Sequence, residues 1–154
     1  MKLFLACICI FLIFWIGIVL GAKKEAYFTV IKVIDGDSII IDNGTEIRMA
    51  GIDAPELSRG GQPFALEAKD FLRDRLLNRK VQIKIWGLDK YNRTLATVYQ
   101  DGSDVNLEMI QRGYAEVFMV LSIRYKAAET KARIAGLGIW SLENYTSPYE
   151  WRKR

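Results

Sequence analysis

Residues 27–52 read YFTVIKVIDGDSIIIDNGTEIRMAGI, and this stretch determines the predicted fold. β-Branched and aromatic residues recur with the period-two pattern that is typical of half-buried strands. Two polar breaks, Asp35-Gly36-Asp37 and Asp42-Asn43-Gly44, divide the stretch into three strands. The second break predicts a hairpin with a type I′ turn, because Asn-Gly accepts a positive φ.

The residues that follow add helices and two further strands. Pro63 opens a helical stretch whose apolar stripe consists of Phe64, Ala68, Phe71, Leu72 and Leu76. The strands KVQIKIW and RTLATVY come next, then a helix at VNLEMIQRG and a longer one near Ile123–Ala135. The order β-β-β-α-β-β is that of the OB-fold, a five-stranded barrel whose faces and loops commonly bind oligonucleotides. The predicted class is therefore α+β, a β-barrel followed by two C-terminal helices and preceded by an N-terminal apolar helix.

The N-terminal apolar helix is predicted from an unbroken run of 20 residues, Leu3 to Ala22. At ~1.5 Å per residue, a helix of this length just spans a ~30 Å hydrocarbon core. The run is either a retained membrane anchor or a cleaved signal peptide, and both alternatives predict an extracytoplasmic protein, membrane-anchored or secreted. Both cysteines lie inside the run, so the exported part needs no disulfide. The predicted organisation is 1–24 as signal peptide or membrane anchor, 25–145 as one domain, and 146–154 as a basic tail.

Composition limits the chemistry that this domain can perform. The chain has 154 residues, which suits a single core, and it contains no histidine. Ser-His-Asp and Cys-His catalysis are thereby excluded, as are metal sites with histidine ligands. The net charge of +4 comes from the chain ends, because residues 25–151 hold 16 basic against 18 acidic residues. Bulk charge therefore does not identify a nucleic-acid-binding protein, and carboxylate, arginine and metal chemistry remain.

Polar side chains concentrate in three segments at the ends of predicted strands. They are Asp35-Gly36-Asp37, the stretch from Arg48 to Asp53-Ala54-Pro55-Glu56, and Asp89-Lys90-Tyr91-Asn92-Arg93. Each segment alone is typical of a solvated turn. Strand alternation, however, places Arg48 on a face with Ala50 and Ile52, where a guanidinium is costly unless it meets an anion or a carboxylate.

These segments carry a resemblance to the staphylococcal (micrococcal, or thermonuclease) nuclease family. The matching elements are IDGDS, IRMAGIDAPE, DKYNR, VNLEMIQRGYAEV and AGLGIWS, which occur in the family's order between Tyr27 and Ser141. The resemblance identifies residues 25–145 as a similar domain with the OB-fold. It implies a calcium-dependent endonuclease that hydrolyses DNA and RNA and leaves products with a 3′-phosphate. A monomer is expected.

The resemblance also implies a metal site. Asp37 and Asp53 would be Ca²⁺ ligands, with the backbone carbonyl of Ala54 as a third. Calcium is a hard cation that takes ~6–8 oxygen ligands, so water and substrate phosphate would complete the coordination.

The other implied roles concern the attacking water and the phosphate. Glu56 would act as the general base or position the water, a role that a carboxylate can fill without histidine. Arg48 and Arg93 would bind the phosphate, since guanidinium groups match phosphate oxygens bidentately. Lys90 and Tyr91 match residues that lie near the phosphate of the nucleotide in the family.

Two departures from the family pattern affect these expectations. Asn92 stands where the family usually has glycine, and asparagine tolerates the left-handed conformation well enough to keep Arg93 correctly aimed. The stretch Phe118-Met119-Val120-Leu121 replaces a segment with two tyrosines, so base stacking would have to come from Phe118 or Tyr125.

Three functions fit the sequence. The first is an exported or membrane-tethered nuclease, favoured because every principal site position is filled. The second is a catalytically silent module of the same fold that binds nucleic acid or protein. The third is a structural membrane protein with the barrel as its ectodomain.

Overall fold

The computed structural model describes residues 26–58, 60–119 and 121–154. The predicted apolar helix of residues 3–22 and both cysteines lie outside the described residues. Across the part of the chain that is described, no helix has the length and apolar character needed to cross a membrane.

The described residues form strands and helices in the following order: β1 (Tyr27–Val33), β2 (Ser38–Ile41), β3 (Glu46–Met49), β4 (Ile52–Asp53), α1 (Ala65–Leu76), β5 (Lys80–Leu88), β6 (Thr94–Gln100), β7 (Ser103–Asp104), α2 (Val105–Gln111), β8 (Glu116–Val117), α3 (Ile123–Ile134), a 3₁₀ helix (Gly138–Ser141) and α4 (Pro148–Trp151). The predicted α+β class is confirmed, because a sheet-rich core carries several helices. The three main predicted helices occur where the sequence placed them.

The main sheet has the strand order β3-β2-β1-β5-β6-β7. Its neighbouring strands run antiparallel, with Ser38 opposite Arg48 in the β2–β3 pair. A further, parallel pairing joins β3 to β6 and sets Arg48 beside Leu95. Because the two strands run parallel, the first residues of β6 lie beside β3. The Asp89–Arg93 turn, which directly precedes β6, is therefore placed next to β3.

The β2–β3 hairpin is confirmed, but its predicted type I′ turn is wrong. A type I′ turn needs positive φ at both central residues, and of Asp42, Asn43 and Gly44 only Gly44, at 83°, has it. The amide of Gly44 donates to the carbonyl of Ile41 over 2.8 Å, so Asp42 and Asn43 occupy the centre of the turn. Glycine takes the left-handed position after that turn, which a three-residue hairpin loop requires.

Helix α1 covers the sheet with the stripe that the sequence predicted. Ala68, Leu72 and Leu76 are fully buried, and Phe71 packs against the core from its edge. Phe64 differs from the prediction, because it caps the helix in a left-handed conformation (φ 69°) instead of lying within it.

Residues 146–154, predicted to be a basic tail, contain the short helix α4. Ser147 and Glu150 form a capping box, in which each side chain accepts a hydrogen bond from the backbone amide of the other. Pro148 is buried, and the Gln62 side-chain amide donates to the Thr146 carbonyl over 2.6 Å. The segment is therefore attached to the loop that precedes α1.

Candidate active site

Arg48 is the centre of the site, because its guanidinium bridges two carboxylates. Nη1 lies 2.8 Å from Oδ2 of Asp37, and Nη2 lies 2.8 Å from Oδ1 of Asp53. Nη1 also donates to the Ile52 carbonyl over 3.1 Å. The expectation that Arg48 must meet a negative group on this face is confirmed.

Asp37 is held in a buried position by its neighbours. Its Oδ2 accepts a hydrogen bond from the Ala54 amide over 2.8 Å, and its Oδ1 accepts one from the Ser38 hydroxyl over 3.1 Å. Burial raises the pKa of Asp37 to about 7, an effect that Arg48 opposes and the nearby carboxylates reinforce. The Ala54 amide thus lies directly against Asp37, whereas the predicted metal ligand is the Ala54 carbonyl, whose role stays a prediction.

Gly36 allows this turn to approach helix α1 closely. A Cβ atom at position 36 would lie 2.7 Å from Cβ of Ala54 and 2.9 Å from Cβ of Ala68. Both distances are far below normal van der Waals contact, so any side chain would displace the turn. The glycine between the two aspartates therefore sets the position of Asp37.

Asp53 and Glu56 are joined by a second arginine, which the sequence did not reveal as a site residue. Arg152 donates from Nη2 to Oδ2 of Asp53 over 2.7 Å and from Nη1 to Oδ1 of Asp53 over 3.1 Å. Its Nη1 also lies 2.5 Å from Oε1 of Glu56. Asp53 is almost fully buried, so two guanidinium groups compensate one desolvated carboxylate.

The loop after Glu56 is closed by a glutamine. The backbone amide of Glu56 donates to the side-chain oxygen of Gln62 over 3.1 Å. The backbone amide of Gln62 donates in return to the Glu56 carbonyl over 2.7 Å. Gln62 also binds the Thr146 carbonyl, as described above, so a single buried side chain connects Glu56 with the C-terminal segment. No motif around Gln62 marks this residue as part of the site.

Arg93 is held beside this cluster and does not contact its carboxylates in the described hydrogen bonds and ion pairs. Its Nε lies 2.8 Å from Oδ2 of Asp89, and its Nη1 lies 3.7 Å from Oε1 of Glu46. Burial lowers the pKa of Arg93, but the Asp89 carboxylate outweighs that effect and the pKa is raised overall. Asn92 adopts φ 64°, which confirms that it takes the left-handed conformation predicted for it.

Lys90 and Tyr91 lie at the tip of the same turn. Tyr91 is exposed, with the Lys90 ammonium 4.9 Å and the Arg93 guanidinium carbon 5.6 Å from its ring centroid. The turn thus presents two cations around one aromatic ring. The structure places both residues on the same turn as Arg93 but not in the carboxylate cluster.

The two aromatic residues considered for base stacking have different environments. Phe118 is exposed and accessible to a ligand. Tyr125 is buried, and its hydroxyl donates to the Asp104 carboxylate at 3.0 Å. Tyr125 is therefore committed to the core, and only Phe118 is accessible for stacking.

The residues present suit a hard divalent cation by their donor chemistry. Asp37 and Asp53 converge on one guanidinium and offer carboxylate oxygens, which are the ligands of a hard cation, while the Ala54 backbone meets Asp37 through its N–H group. A cluster of three or more His, Cys, Asp or Glu side chains in a metal-binding arrangement is not found in the described ranges. A cation here would thus use two aspartates, and Glu56 would stand beside the site.

Guanidinium groups and carboxylates gathered at strand ends combine the side chains that bind phosphate groups and hard cations. The family follows from comparison: residues 46–142 match the model of the staphylococcal nuclease homologues, and the chain belongs to this family. Nucleases of this family are generally metal-dependent, and membership of the family implies a nucleic acid substrate.

Relatives from fungi and bacteria agree with this assignment. A protein of Haemophilus influenzae named "Uncharacterized endonuclease" is 34% identical over 139 residues, which cover 86% of this chain and 76% of that protein. The "Probable endonuclease LCL3" of Podospora anserina is 40% identical over 116 residues, covering 63% of this chain and 42% of the fungal protein. The protein of the same name in Verticillium alfalfae is 36% identical over 151 residues, covering 87% of this chain and 53% of its own length. The chain spans about half the length of these fungal relatives.

Proposed function

We propose that this protein is a Ca²⁺-dependent endonuclease that hydrolyses phosphodiester bonds of DNA and RNA and leaves 3′-phosphate ends. The observation that carries the proposal is the bridging of two buried carboxylates, Asp37 and Asp53, by Arg48. The family and the names of the relatives support the reaction class. The ring of pairings β1-β2-β3-β6-β5-β1 supports a five-stranded OB-fold barrel as its framework.

Asp37, Asp53 and the carbonyl of Ala54 would hold the cation. Bound there, Ca²⁺ would supply positive charge to the phosphate oxygens as negative charge develops on them. Arg48 keeps the two aspartates together, because one guanidinium forms an ion pair with each of them. The chain thus keeps two carboxylates in fixed positions before the substrate arrives.

Glu56 is the residue best placed to act on water. It follows Asp53 by three residues, its side chain is partly exposed, and Gln62 fixes its backbone. A carboxylate within hydrogen-bond distance of the attacking water can orient it and accept its proton. Water then adds to phosphorus, the bond to the 5′-oxygen breaks, and that oxygen leaves with a proton.

Arg48 and Arg93 would stabilise the negative charge that develops on the phosphoryl oxygens in the transition state. Stabilisation of this kind by fixed donors is usually the largest single contribution to the rate enhancement of an enzyme. Arg93 is oriented by Asp89, which binds both its backbone amide and its Nε. Lys90 and Tyr91 would contact the neighbouring nucleotide from the tip of the turn. The 2.8 Å contact between Arg93 and Asp89 keeps the guanidinium extended beside β3.

The protein would act outside the cytoplasm, either anchored in a membrane or secreted. The apolar run of residues 3–22 would either anchor the protein in a membrane or direct its secretion as a cleaved signal peptide. The nuclease domain would then work as a monomer outside the cytoplasm, where calcium is abundant enough for a weak site.

A second candidate function is a catalytically silent module that binds nucleic acid or protein. One observation favours it: Arg152 occupies Asp53 and Glu56, the two carboxylates that the reaction needs. The two candidates differ in whether phosphodiester bonds are cleaved.

Digestion of supercoiled plasmid and of single-stranded RNA by the purified full-length chain tests the proposal. Cleavage is expected with Ca²⁺, and it should stop with chelator and return when Ca²⁺ is restored. The fragments should accept a 5′-phosphate from a kinase without prior dephosphorylation, because hydrolysis leaves a 5′-hydroxyl. Binding without cleavage at any Ca²⁺ concentration would favour the silent module.

A further inference from the structure

The C-terminal segment delivers Arg152 to the site in a defined way. Helix α4 is closed at its start by the Ser147–Glu150 capping box, and Pro148 at its first position is buried. Arg152 follows the helix directly and caps its C-terminal end with an αR backbone. Because Gln62 binds the Thr146 carbonyl, the segment is also fixed to the loop that carries Glu56. The position of Arg152 is therefore a property of the folded chain.

The Arg152 guanidinium forms a fork over the two carboxylates. Both of its terminal nitrogens donate to Asp53, at 2.7 and 3.1 Å, and one of them also donates to Glu56. Charge-assisted, bidentate contacts of this kind are the strongest hydrogen bonds available to surface arginines. The Arg152 side chain is 38% exposed, so water has access to the outer side of this contact.

A divalent cation would need the same oxygen atoms. Calcium binds carboxylate oxygens at ~2.3–2.6 Å and prefers several of them, whereas the guanidinium already lies at hydrogen-bond distance from both oxygens of Asp53. The Arg48 side chain is 14% exposed and the Arg152 side chain 38% exposed, so a cation from solvent reaches Asp53 on the side that Arg152 covers. A divalent cation on these oxygens would strongly repel a guanidinium at such short distances, and Arg152, the more exposed of the two arginines on Asp53, is the one free to move away.

We propose that Arg152 is a built-in counter-ion that occupies Asp53 and Glu56 in the cation-free protein and is displaced when Ca²⁺ binds. This inference rests on the proposed function, since it takes the carboxylates to be the cation site. Arg152 thereby stabilises the cation-free protein and weakens cation binding by the same free energy, because the two states are linked. The C-terminal segment sets the calcium concentration at which the site fills.

Calcium titration of full-length variants tests this role. In Arg152→Gln, the Kd for Ca²⁺ measured by calorimetry is expected to fall about fivefold, the size of a partly exposed ion pair. The melting temperature without Ca²⁺ should fall by about 3 °C, since two carboxylates lose their shared partner. Arg152→Lys keeps the charge but loses the fork, so its Kd for Ca²⁺ should lie between that of the unchanged protein and that of Arg152→Gln.

Lys153→Gln is the matched control. It removes the same charge one residue further along, from a side chain whose ammonium lies 3.9 Å from the Tyr149 ring centroid. Its Kd and melting temperature should equal those of the unchanged protein. Circular dichroism at about 20 °C, near the temperature of maximum stability of typical domains, would verify that each variant is folded.

Three outcomes would overturn the inference. An unchanged Kd in Arg152→Gln would show that Arg152 does not compete with the cation. A raised Kd would show that Arg152 supports cation binding, as a residue that positions the carboxylates for the metal would do. Absence of Ca²⁺ binding in the unchanged protein and every variant would overturn the proposed cofactor together with the competition, which separates it from the first two results.

Discussion

Strand β3 and the C-terminal segment each bring an arginine to Asp53, and they do so in different ways. Arg48 is fixed by strand pairing on both sides, its side chain is 14% exposed, and it also binds Asp37. Arg152 arrives from a four-residue helix, is 38% exposed, and binds Glu56 as well. Asp53 therefore has a permanent partner, Arg48, from the sheet and an exchangeable partner, Arg152, from the C-terminal segment.

The largest expected effect follows from removing the permanent partner. Arg48→Met leaves Asp37 and Asp53 buried without their shared cation, which should cost about 3 kcal/mol in the free energy of unfolding. Urea unfolding measures the loss, and nuclease activity should fall below detection. Arg73→Met is the control and should cost less than about 0.5 kcal/mol, because the ion pairs that Arg73 makes among the described residues, with Asp70 and Asp74, are exposed. Equal losses in the two variants would contradict the structural role of Arg48.

Glu56→Gln tests the carboxylate that Arg152 and the Ser58 hydroxyl contact and that Arg48 does not. The amide keeps the size and the backbone contacts of Glu56 but cannot accept a proton, so turnover should fall about 10³-fold. The melting temperature should stay within about 1 °C of the unchanged protein, since the change lies at a partly exposed side chain. Steady-state cleavage of a fluorogenic oligonucleotide measures the turnover. Full activity would remove Glu56 from the proposed mechanism.

Arg93→Ala asks whether an arginine outside the carboxylate cluster takes part in catalysis. Loss of one fixed donor to the phosphate should reduce turnover about 10²-fold. Lys90→Ala, at the exposed tip of the same turn, should mainly raise KM, because a distant charge contributes to binding more than to the chemical step. Similar kinetics for both variants would show that the turn acts only as a binding surface.

Gln62→Ala should give the smallest effect of the four. The change removes one hydrogen bond to the Glu56 amide and one to the Thr146 carbonyl, and should cost about 1–2 kcal/mol of stability. Because the C-terminal segment is then less firmly attached, the Kd for Ca²⁺ should shift in the same direction as in Arg152→Gln. A stability loss with an unchanged Kd would mean that Gln62 does not control the position of Arg152.

The pairing of Arg48 with carboxylates could be predicted from the sequence. Arg48 could be identified because strand alternation put a guanidinium among apolar neighbours, and its carboxylate partners lay in adjacent motifs. Asn92 was correctly assigned to the left-handed region for a local steric reason. Such features follow from residues that are near in sequence or paired in a regular sheet.

The contact of Arg152 with Asp53 could not be predicted, because the two residues are neither near in sequence nor paired in a regular sheet. Arg152 meets Asp53 across 99 residues, and no repeat or alternation relates their positions. The Ser147-x-x-Glu150 pattern was a signal for a helix start, but it does not say where that helix packs. Tyr125 and the β2–β3 turn were misjudged because burial and the detailed turn type depend on tertiary contacts.

Position 36 shows how a residue without any polar group controls a candidate metal site. Because the turn at Gly36 touches Ala54 and Ala68, the aspartate after it and the backbone before Pro55 are held at one fixed separation by bare van der Waals contact. A related chain that keeps every acidic and basic residue but has a larger residue at this position would have its ligands spread apart. Inspection of a new sequence for this chemistry should therefore treat the glycine as seriously as the charges that flank it.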